Sequence, residues 1–188
     1  MSDPWRPTRD QVAAAEGRTV PDVAAPGLRV LFVGINPGLY SGAVGHHFAR
    51  PGNRFWKALH LAGLTDRVLS PFDERDLLAR GLGITNIVTR ATAGAKDLAP
   101  EELRAGARAL RGKVARLRPA FVAFMGLSAY RIAFDRPGAT PGEQSETLRG
   151  ARVWLLPNPS GLNAHYQLAA LGEAFAALRV AAGLAPSR

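Results

Sequence analysis

The sequence of 188 residues contains no cysteine, only three lysines and only four histidines. The absence of cysteine excludes disulfide bonds and metal sites built on thiolates. Because few other side chains that bind transition metals remain, we expect neither a metal centre nor another cofactor.

Long hydrophobic runs are also absent. No stretch approaches the roughly 18 consecutive apolar residues that a membrane-spanning helix needs. Residues 1–26 mix acidic and basic side chains and lack the apolar segment of a secretory signal peptide. We therefore expect a cytoplasmic protein that has no membrane partner.

The length and the 47% of hydrophobic residues fit a single domain with a substantial core. Residues 1–26 contain several prolines and show no clear periodicity, apart from a short helix near residues 11–16. We predict a flexible arm over residues 1–26, followed by one domain over residues 27–183 in a monomeric protein.

The formal net charge of +9 suggests a polyanionic partner, and nucleic acid is the usual one. Residues 1–26 hold more acidic than basic side chains, so the whole excess lies in the predicted domain. A genome-wide bias toward arginine would give a similar charge. The row of Arg104, Arg108 and Arg111 fits a solvated helix face better than a DNA-binding surface.

Apolar runs and amphipathic stretches alternate from Leu28 onward. The nearly continuous apolar run over residues 28–35 predicts a strand that is buried on both faces. Ser70, followed by Pro71 and Asp73, predicts the beginning of a helix. The other predicted helices span residues 53–64, 101–117 and 167–182, and the other predicted strands span residues 84–88, 120–125 and 153–156.

Strands that alternate with helices indicate parallel pairing. We therefore predict an α/β fold, a three-layer α/β/α sandwich with a central, mainly parallel sheet of four or five strands. In such sheets, ligands bind at the carboxyl ends of the strands. The first strand runs into residues 34–38 and the last into residues 157–162, so we place the chemistry at the edge where both loops should lie.

Each of these loops alone is weak evidence, because Asn, Pro and Gly are common turn residues. One alternative is a nucleotide-binding protein in which residues 34–38 hold a phosphate. That alternative is disfavoured, since the loop lacks the Gly-Lys-Ser/Thr ending of a phosphate-binding P-loop.

Three longer segments are more specific: GINPGLYSGAVGHHFARPGNRFWKAL at residues 34–59, NIVTRATAGAKDL at residues 86–98 and NPSGL at residues 158–162. Together they resemble the mismatch-specific uracil/thymine-DNA glycosylases of the uracil-DNA glycosylase superfamily. The similarity extends from about Val20 to about Arg179. It implies an enzyme that flips a uracil-type base out of duplex DNA and hydrolyses its N-glycosidic bond.

The resemblance also implies roles for individual residues. Asn36 matches the asparagine that positions the hydrolytic water, and Phe48 matches the aromatic residue that stacks on the flipped base. Backbone donors around Ile35 and Phe48 would bind the oxygens of the base and stabilise the departing anion. The remaining members of the predicted base pocket are Ser41, His47 and Asn158.

The predicted DNA contacts are Leu162, its neighbours and Lys96. Leu162 matches the wedge that fills the gap left in the base stack, and Gly161 and Asn163 flank it where family members contact the widowed guanine. Lys96 is either a phosphate contact or a solvated side chain. Asp97 either helps to activate the water or orders the loop before the next helix, and both alternatives stay open.

The substrate is less clearly indicated than the reaction. His46 and His47 resemble the paired histidines of the thymine-active branch, whereas the Asn158 motif is closer to the bacterial uracil branch. We predict a nucleoid-associated enzyme of base excision repair that removes uracil, preferably from G·U mispairs in double-stranded DNA. The alternatives are a glycosylase acting mainly on ethenocytosine or deaminated purines, and a damage-binding module without activity.

The predicted enzyme is monofunctional. A lyase reaction at the abasic site needs an amine that can form a Schiff base. None of the lysines lies in either strand-end loop.

Overall fold

The computed structural model describes residues 5–161 and 166–187. Its strands are β1 (Val30–Gly34), β2 (Leu82–Asn86), β3 (Phe121–Met125), β4 (Gly142–Leu148) and β5 (Ala151–Leu156). They form one sheet in the order β2-β1-β3-β5-β4. All neighbouring pairs are parallel except β4 with β5, which is antiparallel. The predicted mainly parallel sheet is confirmed, with five strands.

Helices cover both faces of the sheet. In the described residues the α-helices are α1 (Arg9–Ala13), α2 (Leu39–Val44), α3 (Phe55–Leu61), α4 (Pro100–Leu117), α5 (Leu127–Ala133) and α6 (Leu168–Ala181). Two 3₁₀ helices span Pro71–Arg80 and Ala95–Asp97. None of the helices within residues 5–161 and 166–187 is long and apolar enough to cross a membrane.

Strand β1 divides the core into two layers because successive side chains of a strand point to opposite faces. Leu31 and Val33 belong to the cluster that includes α4 and α5. Val30 and Phe32 belong to the cluster that includes α3 and α6. All five residues of β1 are buried, as the apolar run over residues 28–35 predicts. The α/β/α sandwich is therefore confirmed.

Local sequence signals explain where two of the helices lie. Helix α4 carries an apolar stripe at helical spacing, and all of its members are buried: Leu103, Ala107, Leu110, Val114 and Leu117. Ser70 caps the segment Pro71–Arg80, with the Ser70 side chain accepting a hydrogen bond from the Phe72 N–H and the Asp73 carboxylate accepting one from the Ser70 N–H. That helix begins where the sequence predicts, but it is a 3₁₀ helix rather than an α-helix.

The second half of residues 1–26, the segment that the sequence predicts to be a flexible arm, packs against the domain. Ala15, Val20 and Val23 are buried. The Val23 and Ile84 backbones exchange hydrogen bonds of 3.0 and 2.7 Å. The Asp22 carboxylate contacts Lys113 and accepts a hydrogen bond from the Thr85 hydroxyl. The segment covers β2, the strand at the sheet edge, because backbone groups left unpaired there gain partners.

Candidate active site

A cleft of about 660 Å³ lies at the carboxyl ends of the parallel strands. Residues 34–38 after β1 and residues 157–160 after β5 both line it, so the structure brings the two predicted loops together. Asn86 from the end of β2, residues 125–129 from the end of β3 and residues 92–95 complete the strand-end wall. The predicted pocket residues Ile35, Asn36, Ser41, His47, Phe48 and Asn158 all line this cleft.

The side chain of Asn36 is held in one orientation. Its amide nitrogen contacts three acceptors: the Pro37 carbonyl at 3.2 Å, the Arg90 carbonyl at 3.0 Å and the Thr92 hydroxyl at 2.8 Å. The Thr92 hydroxyl in turn donates to the Gly94 carbonyl at 2.8 Å. These acceptors identify the nitrogen end of the amide. Its oxygen has no donor among the described residues and can accept a hydrogen bond from water.

Phe48 occupies a turn with unusual backbone geometry. Its φ of 51° lies in the left-handed region, which non-glycine residues adopt at a cost. The His47 N–H donates to Glu74 at 2.8 Å and the Ala49 N–H donates to the Ser41 hydroxyl at 3.1 Å. The Phe48 N–H between them has no acceptor within residues 5–161 and 166–187. The turn therefore offers a free backbone donor together with the Phe48 ring.

Glu74 holds this turn in place, and no local sequence signal marks it. Glu74 is buried, with 5% of the residue exposed. One carboxylate oxygen accepts from the His47 N–H, and the other lies 2.8 Å from His46 Nδ1. Phe48 packs against Phe55, with ring centroids 4.3 Å apart. The position of Phe48 thus depends on contacts that are distant in the sequence.

His47 is a buried, neutral histidine at the back of the cleft. Its Nε2 lies 2.9 Å from the Pro21 carbonyl and donates to it. Its Nδ1 then accepts from the Asn86 side-chain nitrogen at 3.4 Å. Burial lowers the pKa of His47 below its ordinary value of 6.5 and outweighs the opposing effect of Glu74. His46, in contrast, is not among the residues that line the cleft.

Comparison with known families gives a match over residues 21–179 to the uracil DNA glycosylase superfamily. The chain belongs to this superfamily. Membership implies a DNA glycosylase, a hydrolase of N-glycosidic bonds that acts on DNA. A solution NMR structure from Methanosarcina acetivorans, provisionally described as a uracil DNA glycosylase, has a TM-score of 0.61 and 20% sequence identity. The match covers 87% of this chain and 97% of that chain, and at this identity it supports the fold alone.

The structure does not bring Lys96 and Asp97 into the glycosylase cleft. Both residues are exposed, and neither is among those that line the cleft. The Asp97 carboxylate accepts a hydrogen bond from the Gly94 N–H at 2.8 Å. This contact orders the loop whose Gly94 carbonyl binds Thr92. Asp97 is thus linked to Asn36 through the loop rather than through the cleft.

The loop after β5 is partly described. Asn158 shapes its first turn, because its side-chain oxygen accepts the Ser160 N–H at 2.9 Å. Gly161 follows and is exposed. The predicted wedge Leu162 and its neighbour Asn163 lie outside the described residues. Within the described ranges, no three His, Asp or Glu side chains cluster so that they could hold a metal ion.

We expect acid to destabilise the protein through His47. Its pKa is lowered in the folded state, so the unfolded chain binds the proton first as the pH falls below about 6.5. The stability that the neutral ring contributes is therefore complete above that pH and is lost on going down toward the folded-state pKa. Melting temperatures measured from about pH 8 to about pH 5.5 should fall less steeply for His47→Gln than for the wild type. Equal slopes would contradict this assignment.

Proposed function

We propose that this superfamily member belongs to the mismatch-specific uracil/thymine branch and removes uracil from double-stranded DNA, preferably from G·U mispairs. It acts as a monofunctional enzyme and as a monomer. The main support is that Asn36 and Phe48 share one cleft, which joins an oriented amide oxygen to an aromatic ring able to stack on a base.

The proposed step is hydrolysis of the bond between C1′ of the sugar and N1 of uracil. The bond breaks with its electron pair on uracil, which leaves as an anion, and water adds a hydroxyl group to C1′. The proton lost by water passes to solvent or to the uracil anion. Asn36 orients the water without removing its proton, since a neutral amide accepts a hydrogen bond but is not a base at neutral pH. The Phe48 N–H stabilises the charge on a uracil oxygen.

Asn86 provides a way to distinguish uracil from cytosine. Its side-chain nitrogen is engaged with His47, so its oxygen remains to accept a hydrogen bond in the cleft. Uracil presents a donor at N3, whereas cytosine presents an acceptor there. A cytosine in the same position would face the Asn86 oxygen with a second acceptor and would lose binding energy.

Monofunctional activity is supported by the chemistry of the cleft. No lysine is among the described residues that line it. A lyase step would need an amine close to C1′ to form a Schiff base. The preference for G·U is supported by the resemblance and by the lower cost of extruding a mismatched base.

The proposal is tested with a panel of duplexes that carry a single G·U, A·U, G·T, G·ethenocytosine or hypoxanthine lesion. We expect strand cleavage only after alkali, fastest for G·U. Binding without base release would instead indicate a damage-binding module, and strand cleavage without alkali would indicate a lyase. Release of ethenocytosine or hypoxanthine faster than that of uracil would indicate a glycosylase that acts mainly on the other lesion.

We expect the affinity for duplex DNA to fall at least about tenfold between roughly 50 and 200 mM salt, because bound cations are released from the phosphates. Arg50 lines the cleft, is exposed and has no acidic partner within the described residues. Arg50→Ala should therefore make the negative slope of log affinity against log salt shallower by about 1. Arg108→Ala, on the exposed face of α4, is the matched control and should leave the slope unchanged. Equal effects of the two changes would count against a phosphate contact at Arg50.

A further inference from the structure

Arg54 binds the loop after β5 although it does not itself line the cleft. It stands directly before α3, 105 to 112 residues away from its partners. The guanidinium donates to the Ser160 carbonyl at 2.6 Å and also to the Tyr166 carbonyl. Its Nε lies 3.4 Å from the Pro159 carbonyl, which also accepts the Arg54 backbone N–H at 3.0 Å.

These contacts join the two ends of one short segment. Pro159 and Ser160 precede Leu162, and Tyr166 follows it. The rigid fork of one guanidinium therefore sets the separation between the carbonyl groups on either side of the predicted wedge. A lysine has the same charge, but its ammonium group is a compact point donor and does not reproduce this fork.

The turn before Arg54 also contacts the loop after β5 through its backbone. A Cβ atom placed on Gly161 would lie only 2.8 Å from the Gly52 carbonyl oxygen, so the two backbones are in close contact. Arg54 thus combines with the backbone of its own turn to hold the loop. Its donors are engaged with carbonyl oxygens, which makes Arg54 poorly suited to binding a DNA phosphate.

We propose that Arg54 is a positioning residue that holds Pro159 and Ser160, before the predicted wedge, and Tyr166, after it, in place for insertion of the wedge into the base stack. The inference rests on the proposed function, because it assigns the loop to wedge insertion. Flanking residues that are already fixed in the free protein lose less conformational entropy when the wedge enters DNA. We call these contacts of Arg54 with Pro159, Ser160 and Tyr166 the Arg54 clamp. Loss of the Arg54 clamp should therefore slow uracil release from duplex DNA, which needs the wedge, and should change release from single-stranded DNA little.

The test compares Arg54→Lys with Arg179→Lys. Arg179 is a matched control, since its guanidinium also binds two backbone carbonyls, those of Ala62 and Leu184, but lies away from the cleft. Single-turnover rates are measured on a G·U duplex and on single-stranded DNA that contains uracil. We expect Arg54→Lys to lower the duplex rate roughly ten- to a hundredfold and the single-strand rate by less than about threefold. Arg179→Lys should leave the ratio of the two rates unchanged.

A double variant checks whether Arg54 acts through the wedge. Leu162→Ala removes the wedge and should also reduce the duplex rate more than the single-strand rate. If Arg54 acts through Leu162, adding Arg54→Lys to Leu162→Ala should change that ratio little further. Fully multiplicative losses, or equal losses of Arg54→Lys on both substrates, would overturn the proposal. Arg54→Gln serves as the second variant if Arg54→Lys does not fold.

Hydrogen exchange separates this inference from the function on which it rests. Arg54→Lys should speed amide exchange in residues 159–167, whereas Arg179→Lys should not. Failure of the wild type to release uracil, together with faster exchange in Arg54→Lys, would refute the proposed function. It would still support the role of Arg54 in holding the loop. Unchanged exchange in this segment would refute the Arg54 clamp, whatever the enzyme cleaves.

Discussion

Replacement of Asn36 by alanine is expected to lower the single-turnover rate of uracil release by about two to three orders of magnitude. The amide oxygen is the end of the Asn36 side chain that is left to accept a hydrogen bond from water, because three oxygen acceptors fix the amide nitrogen. Alanine removes this acceptor and leaves the rest of the cleft wall in place. The rate is measured on a G·U duplex with enzyme in excess, after circular dichroism and thermal melting have shown that the variant is folded.

The matched control for Asn36 is Asp97→Asn. Asparagine keeps an oxygen that can accept the Gly94 N–H, so the loop should remain ordered and the rate should change by less than about threefold. If Asp97 were the general base, Asp97→Asn would instead cause the large loss of rate. The wild-type rate would then also decrease as the pH is lowered and the base becomes protonated. Full activity of a folded Asn36→Ala protein would contradict the role of Asn36 in orienting the water.

Thr92 tests whether the orientation of the Asn36 amide matters. Thr92→Val removes the hydroxyl that accepts from Asn36, and Thr92→Ser keeps it. We expect the valine variant to lose roughly tenfold in rate and the serine variant to stay close to the wild type. Similar losses in both variants would contradict this role of the hydroxyl, since the serine variant keeps the hydrogen bond to Asn36.

The parallel part of the fold could be predicted because its signals are local. The buried strands are continuous apolar runs, and α4 shows its stripe at helical spacing. The sequence does not predict strand β4, since GEQSETL is polar and its burial alternates without a hydrophobic face. It pairs at the edge of the sheet, where β5 supplies the partner. Helix α5 is likewise not predicted from the sequence.

The part of the candidate site that could be predicted from the sequence is the pair of loops at the carboxyl ends of β1 and β5. The rule that ligands bind at the carboxyl ends of parallel strands brings residues 34–38 and 157–160 to one edge. The sequence gives no signal for Glu74, Asn86 and Arg54, because their roles depend on tertiary contacts. Glu74 resembles an ordinary acid in the first turn of a capped helix, and only its contact with the His47 N–H shows otherwise. Composition and periodicity do not encode such contacts.

Gly34→Ala is expected to reduce uracil release about a hundredfold. A Cβ atom on Gly34 would lie 2.4 Å from the Asn86 side-chain oxygen and 3.3 Å from the Phe48 ring. Relief of the first contact requires a shift of about 1 Å, which is enough to misplace a base-binding group. The variant should keep its affinity for undamaged duplex, because the charged groups around the cleft are unchanged. Single-turnover kinetics and a binding titration together check this expectation.

Gly38→Ala is the matched control for this glycine, because nothing lies within 4 Å of a Cβ atom placed there. Its rate should stay within about threefold of the wild type. The origin of the Gly34 effect is checked by combining Gly34→Ala with Asn86→Ala. If the added methyl group acts mainly by displacing Asn86, the double variant should be no slower than Asn86→Ala alone. Losses that multiply would instead locate the effect at Phe48 or in the backbone of β1, since either would persist after the Asn86 side chain is removed.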